Sequence, residues 1–187
     1  AGPQILAVRA SIEAIGKKAI YGADIEAKLL EALQHADQDV RGHACWSLGR
    51  MAPKTAAAIP ALIVALADPI WSVQHNAAWA LKRYGTLSLA PLRAALRDDN
   101  KRRSVRAAMT LLEISPEHSA EVEATFLAAF ESADLESRNS ILTASGGLKN
   151  PSSATIGLLA KGMQSTEPSA ARVSLASVAA LGKAAAA

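Results

Sequence analysis

The chain has 187 residues, half of them apolar and 4% aromatic, with a formal charge of +3. That composition excludes a disordered chain, and no apolar run reaches the roughly 18 residues that a membrane span needs. One cysteine, Cys45, excludes an internal disulfide and any multi-cysteine metal site, while a pI near 9.2 falls short of a protein that coats nucleic acid.

The sequence begins Ala1-Gly2-Pro3-Gln4, without an initiator Met or a signal-peptide pattern, as expected of a processed or excised chain. Apolar periodicity predicts helices over about 4–16, 23–35 and 39–51. In the third of these Val40, Ala44, Leu48 and Met51 share one face at 100° per residue. A helix over 56–67 follows, with Ile59, Leu62, Ile63 and Leu66 as its stripe. The next helix, 70–84, repeats the first pattern with Val73, Ala77, Leu81 and Tyr84. Leu89, Leu92 and Leu96 then mark a helix over 87–97. Pro60 and Pro91 are expected near the starts of their helices, where a missing N–H costs least. Further helices are predicted over 101–114, 118–131, 135–145, 152–164 and 168–182. Gly146-Gly147 reads as a turn between two of them, and Ala184 to Ala187 as a tail or cloning remnant.

The helices recur with a period of 31–34 residues. Val40-Arg41-Gly42-His43-Ala44-Cys45-Trp46-Ser47-Leu48 matches Val73-Gln74-His75-Asn76-Ala77-Ala78-Trp79-Ala80-Leu81, with Val, Ala, Trp and Leu 33 residues apart. Looser copies begin at Val8-Arg9, Val105-Arg106, Ser137-Arg138 and Ala171-Arg172. One helix pair cannot bury its own stripe, so pairs must stack. The expected fold is an all-α solenoid of about five helix pairs plus a terminal helix that acts as a cap. It would form a single domain over 1–183, with repeats at about 4–36, 37–67, 68–98, 99–132, 133–165 and 166–183.

The run Asp39-Val40-Arg41-Gly42-His43-Ala44-Cys45-Trp46-Ser47-Leu48-Gly49-Arg50-Met51, with Ile59-Pro60-Ala61-Leu62 and Leu66-Ala67-Asp68 after it, resembles a HEAT repeat of the phycobilisome-lyase subclass. The resemblance is strongest over about 37–98. It implies a right-handed α-solenoid, and carboxylates pairing with guanidiniums between neighbouring repeats: Asp39, Asp68 and Asp99 with Arg41, Arg106, Arg138 and Arg172, the series broken by Gln74. Proteins of this kind include bilin lyase subunits, deoxyhypusine hydroxylase, nucleic-acid cradles and plain scaffolds, so the fold does not decide the function.

Four groups of residues could carry chemistry. His43, Trp46 and Arg50 fall off the core face, and Asn76, Trp79 and Arg83 take the same positions one repeat later. Paired Trp and Arg at a rim is the chemistry of a protein-binding hot spot; the competing expectation is that the Trp rings pack between repeats. A second group, Lys82, Arg83, Lys101, Arg102 and Arg103, lies in a basic stretch over 82–106 and could follow a phosphate backbone, aided by Lys17, Lys18 and Lys54 and by Trp71 or Trp79 stacking on a base. An acidic stretch over 107–136 follows it, read as helix capping or as a surface for self-association. His43, His75 and His118 lack the carboxylates that an iron site needs, and Cys45 reads as a buried apolar residue, so no metal, cofactor or catalytic residue is expected. The leading expectation is a non-catalytic scaffold with a protein partner, monomeric or weakly self-associating and cytoplasmic. Nucleic-acid binding is second, and a subunit of a lyase or other modifying enzyme third.

Overall fold

The computed structural model describes residues 2–52 and 56–185, the last two by their backbone only. Its described residues form eleven α-helices and no strand. They are α1 Pro3–Lys18, α2 Ala23–Ala32, α3 Gln38–Met51, α4 Ile59–Ala65, α5 Trp71–Tyr84, α6 Thr86–Ala95, α7 Lys101–Ile114, α8 Ser119–Phe130, α9 Leu135–Ser145, α10 Ser153–Met163 and α11 Pro168–Ala185. The chain divides into two compact units, Ala1–Leu92 and Arg93–Ala187.

In unit 1 the first helices of successive pairs, α1, α3 and α5, pack on one another, and α2 and α4 cover α3 and α5. The stripes read from the sequence form the core. Val40, Ala44 and Leu48 on α3, and Val73, Ala77 and Leu81 on α5, are all buried, as are Ile59, Leu62 and Leu66. Asp37 starts α3 by accepting the N–H groups of Asp39 and Val40 at 2.9 and 3.1 Å. Lys17, Lys18, Arg50, Lys82 and Arg83 sit in the last turns of their helices, where the dipole favours cations.

Close approach between first helices depends on glycine. A Cβ on Gly16 would lie 2.4 Å from Trp46 Cζ3, and one on Gly49 would lie 2.6 Å from Trp79 Cζ3 and 2.8 Å from the Ala80 backbone. Ser47 Oγ donates to the Ile12 carbonyl at 2.9 Å across the same interface.

Unit 2 follows the same plan, with α7, α9 and α11 as first helices and α8 and α10 behind them. Phe126, Leu111, Ile141, Leu142 and Leu159 are fully buried. The close-approach device of unit 1 returns here. A Cβ on Gly146 would lie 2.9 Å from the Ser177 backbone, and Ser177 Oγ donates to the Leu142 carbonyl at 2.7 Å. In both units the serine reaches the carbonyl four residues before the glycine. α11 packs on α9 and α10 and takes the place of a first helix.

The helix pattern matches the expected one, with local corrections. Pro91 lies inside α6, whose first turn begins at Thr86 rather than near the proline. Ser88 fixes that early start by donating from Oγ to the Leu81 and Gly85 carbonyls at 2.9 and 2.7 Å. Residues 116–118 form a 3-10 turn ahead of α8. α11 continues through Ala184 and Ala185, two of the residues read as a tail; Ala186 and Ala187 lie outside the described residues.

Candidate functional site

Three of the six side chains singled out on α3 and α5 gather beside α1. His43 and Trp46 project from one face of α3, and Asn76 reaches across from α5. With Glu13 and Lys17 of α1 they line a cleft of about 280 Å³. Asn76 Nδ2 donates to the Gly42 carbonyl at 3.0 Å, and the missing side chain at Gly42 leaves room for it. His43 Nδ1 lies 2.7 Å from the Asp39 carbonyl. A carbonyl has no proton to give, so Nδ1 donates and Nε2 of the neutral ring is an acceptor. Lys17 and Glu13 pair at 2.6 Å, and the lysine's hydrogen bond holds the Glu13 carboxyl below the usual carboxylate range.

Trp46 and Trp79 are each half-buried. One edge of each ring lies over the glycine of the preceding first helix, and part of the residue remains exposed to solvent. Packing and exposure therefore coexist in the same side chain. Arg50 is exposed and lies 5.9 Å from the centroid of the Trp46 ring. Arg83 is exposed in the last turn of α5. Trp79, Arg50 and Arg83 are not among the residues lining the cleft.

The most exposed tryptophan is neither of these. Trp71, at 60% exposure, stacks on His75 with ring centroids 5.0 Å apart and planes 18° apart. Their four-residue spacing on one helix was the signal available for the pair. Glu13 carries no such signal in the sequence, because the first repeat is one of the looser copies.

Of the guanidiniums expected to hold an aspartate of a neighbouring repeat, Arg41 does so on Asp68, Arg106 takes Glu136 instead, and Arg138 turns to backbone carbonyls. Arg9 pairs with Asp39 at 2.8 Å. Arg41 grips Asp68 through two nitrogens at 2.7 and 3.0 Å and also donates to the His35 and Ala36 carbonyls. Gln74 replaces the next arginine and donates to the Asp68 carbonyl at 2.6 Å. Arg138 donates to the Phe130 and Glu131 carbonyls at the end of α8.

The basic stretch divides between the units. Lys82 and Arg83 are exposed on α5 in unit 1. In unit 2, Arg102 pairs with Asp134 at 2.8 Å and Arg103 with Asp98 at 2.7 Å. Arg93 holds Glu121 through two nitrogens at 2.9 and 2.8 Å, and Arg106 holds Glu136 at 2.8 Å. The acidic stretch therefore meets the basic one as ion pairs about one repeat apart. Lys101 is exposed and lines a groove of about 480 Å³ with Arg93, Arg97, Asp98 and Glu121. Lys54 lies outside the described residues.

Cys45 is buried, and burial pushes its thiol up to about 12, so it offers no thiolate. Among the described residues no three His, Cys, Asp or Glu side chains come together as metal ligands. None of the described helices is long and apolar enough to cross a membrane.

Comparison with known proteins adds the following. The family described as HEAT repeats matches residues 26–113, a little under half of the chain. No curated protein matches. Among solved structures, a designed armadillo repeat protein in complex with the peptide (KR)4 is 15% identical, with a TM-score of 0.50, over 96% of this chain and 95% of that one. An engineered protein gives 15% identity and a TM-score of 0.50 over 94% of this chain and 92% of that one. A second designed armadillo repeat protein is 16% identical, with a TM-score of 0.49. The matched segment and the helix pairs support a HEAT-like repeat protein of the α-solenoid class.

Proposed function

We propose that this HEAT-like repeat chain is a non-catalytic scaffold that binds a protein partner through repeats two and three. The anchors are Trp46, Trp79, His43, Asn76, Arg50 and Arg83. The observation that carries the reading is the cleft in which His43, Trp46 and Asn76 meet, on helices that glycine contacts hold close together. A half-exposed indole beside an exposed guanidinium gives large contact area and planar donors on a rigid base.

Nucleic-acid binding through Lys82, Arg83, Lys101, Arg102 and Arg103 ranks second, because Arg102 and Arg103 already hold carboxylates with which a phosphate would compete. The finer resemblance to the phycobilisome-lyase subclass and a role as a modifying-enzyme subunit stay as a third reading. We place the chain as one repeat domain over 1–183, monomeric or weakly self-associating. The single buried thiol suits a reducing compartment such as the cytoplasm.

The test is capture of partners from native extract by wild type, by Trp46→Ala/Trp79→Ala and by His43→Ala/Arg50→Ala. The second pair leaves the glycine contacts intact. Loss of the same partner with both pairs, at unchanged helicity, is the expected result. Retention by both would remove the surface from consideration.

A further inference from the structure

Resting on that protein-binding reading, we infer that the partner segment is an acidic, proline-rich strand in the polyproline II conformation, with a carboxylate at every third residue.

The inference starts from Lys17, Arg50 and Arg83. They lie 33 residues apart in sequence, one on each of α1, α3 and α5. Their equivalence is structural as well. Lys17 follows Gly16, on which Trp46 packs, and Arg50 follows Gly49, on which Trp79 packs. Lys17 and Arg50 thus occupy the same place beside the same inter-helix contact, Arg83 keeps the same sequence interval in the last turn of α5, and all three are exposed. They offset the negative ends of their helices, and that role keeps their charged heads in water.

Spacing selects the conformation of the ligand. First helices that pack directly have axes roughly 8–10 Å apart. One turn of polyproline II is three residues at about 3.1 Å each, or about 9.3 Å, and returns to the same face. Side chains on one face of a β-strand recur at about 6.8 Å, which does not fit that interval. A carboxylate at every third residue would meet Lys17, Arg50 and Arg83 in turn. The intervening prolines would lie against the exposed parts of Trp46 and Trp79, as polyproline II segments do in aromatic grooves.

A polypeptide fits this surface better than RNA does. Three cations stand in the row among the described residues, and Glu13 lies beside the first of them, 2.6 Å from Lys17. A phosphate chain places charges closer together and would meet that carboxylate directly. The same contact gives a directional prediction: Glu13→Gln releases Lys17 and removes a repulsive charge, so it strengthens binding of an acidic segment.

The experiment titrates fluorescently labelled (Glu-Pro-Pro)3 against the full chain. Its controls are a peptide of the same composition with its three glutamates adjacent, (Lys-Pro-Pro)3, and oligouridylate of equal length. The spaced acidic peptide should bind best. Lys17→Gln/Arg50→Gln/Arg83→Gln should weaken it by about tenfold or more, and Glu13→Gln should tighten it a few-fold. All four residues are at the surface, and circular dichroism will confirm unchanged helicity. Equal binding of the clustered peptide overturns the spacing. Equal or tighter binding of (Lys-Pro-Pro)3 or oligouridylate overturns the partner chemistry, as does full retention of binding by the triple variant. If no peptide binds while native partner capture still depends on the tryptophans, this inference fails and the surface survives. If capture ignores the tryptophans as well, both fail.

Discussion

In unit 1, neighbouring repeats are joined by tryptophans seated on glycines and by the Arg41–Asp68 pair, whose side chains are 13% and 10% exposed. In unit 2, they are joined by ion pairs at the surface, Arg93–Glu121, Arg102–Asp134 and Arg106–Glu136, whose carboxylates are each more than 40% exposed. The serine–glycine contact is common to both. The cations are used differently. In unit 2 they hold adjacent helices together, as Arg9 also does on Asp39 in unit 1, while Lys17, Arg50 and Arg83 at the ends of the first helices of unit 1 stay exposed. Binding capacity is therefore expected in unit 1, and sensitivity to solution conditions in unit 2.

The sharpest way to break this comparison is to remove Asp68. Asp68→Ala leaves the Arg41 guanidinium largely buried without its carboxylate and costs unit 1 about 3 kcal/mol. Thermal unfolding followed by hydrogen exchange should place the loss in residues before Leu92. Gly49→Ala comes next. Its methyl group would meet the Ala80 backbone and the Trp79 ring together, neither of which rotates away, and it should cost about 2 kcal/mol. Gly157→Ala in α10 is the matched control. Nothing lies within 4 Å of its added methyl, so it should stabilise by about 0.5–1 kcal/mol. Equal destabilisation by both would show that glycine matters here for the backbone and not for close approach.

The smallest effect separates the units by pH. Arg93 holds the Glu121 carboxyl below its ordinary range. At Asp134 and Asp98 partial burial acts upward, but hydrogen bonds from Ser137 and Arg102, and from Arg103 and Asn100, outweigh it. A carboxylate depressed in the folded state stabilises above its unfolded value and loses that contribution as pH falls through the folded one. Amide protection factors in unit 2 should therefore fall below about pH 4, and added salt should lower them at neutral pH as well. Unit 1 holds depressed carboxyls too, at Glu13 and Asp37, but these bond within one helix turn and not between repeats, so its protection should fall less; an equal fall would contradict the contrast.

Much of this was legible in the sequence, for identifiable reasons. The helix stripes at Val40 and Val73 follow from a 3.6-residue period that only a helix satisfies. His43, Trp46 and Asn76 stood out because two good repeat copies place them in equivalent positions. The ion pairs of unit 2 were missed because the acidic and basic stretches were read as separate blocks. Their spacing carried the signal: Arg102 and Asp134, like Arg106 and Glu136, lie about one repeat apart. The early start of α6 was illegible because Pro91 suggested a boundary, while a serine hydroxyl on the Leu81 carbonyl decided it. Trp71 was noted only as a neighbour, since no second copy of it exists.

The glycine seats have a consequence for how such a chain changes length. Gly16 and Gly49 fill equivalent places in their helices, and each is followed by a cation. A recombination joining residue 16 to residue 50 would keep the helix in phase and bring Gly16 to the ring of Trp79, where Gly49 had been. A deletion one residue longer or shorter would turn every later side chain of that helix by about 100° and face the ring with a methyl or a charge instead. The array can grow or shrink in whole periods, and its glycines keep the count.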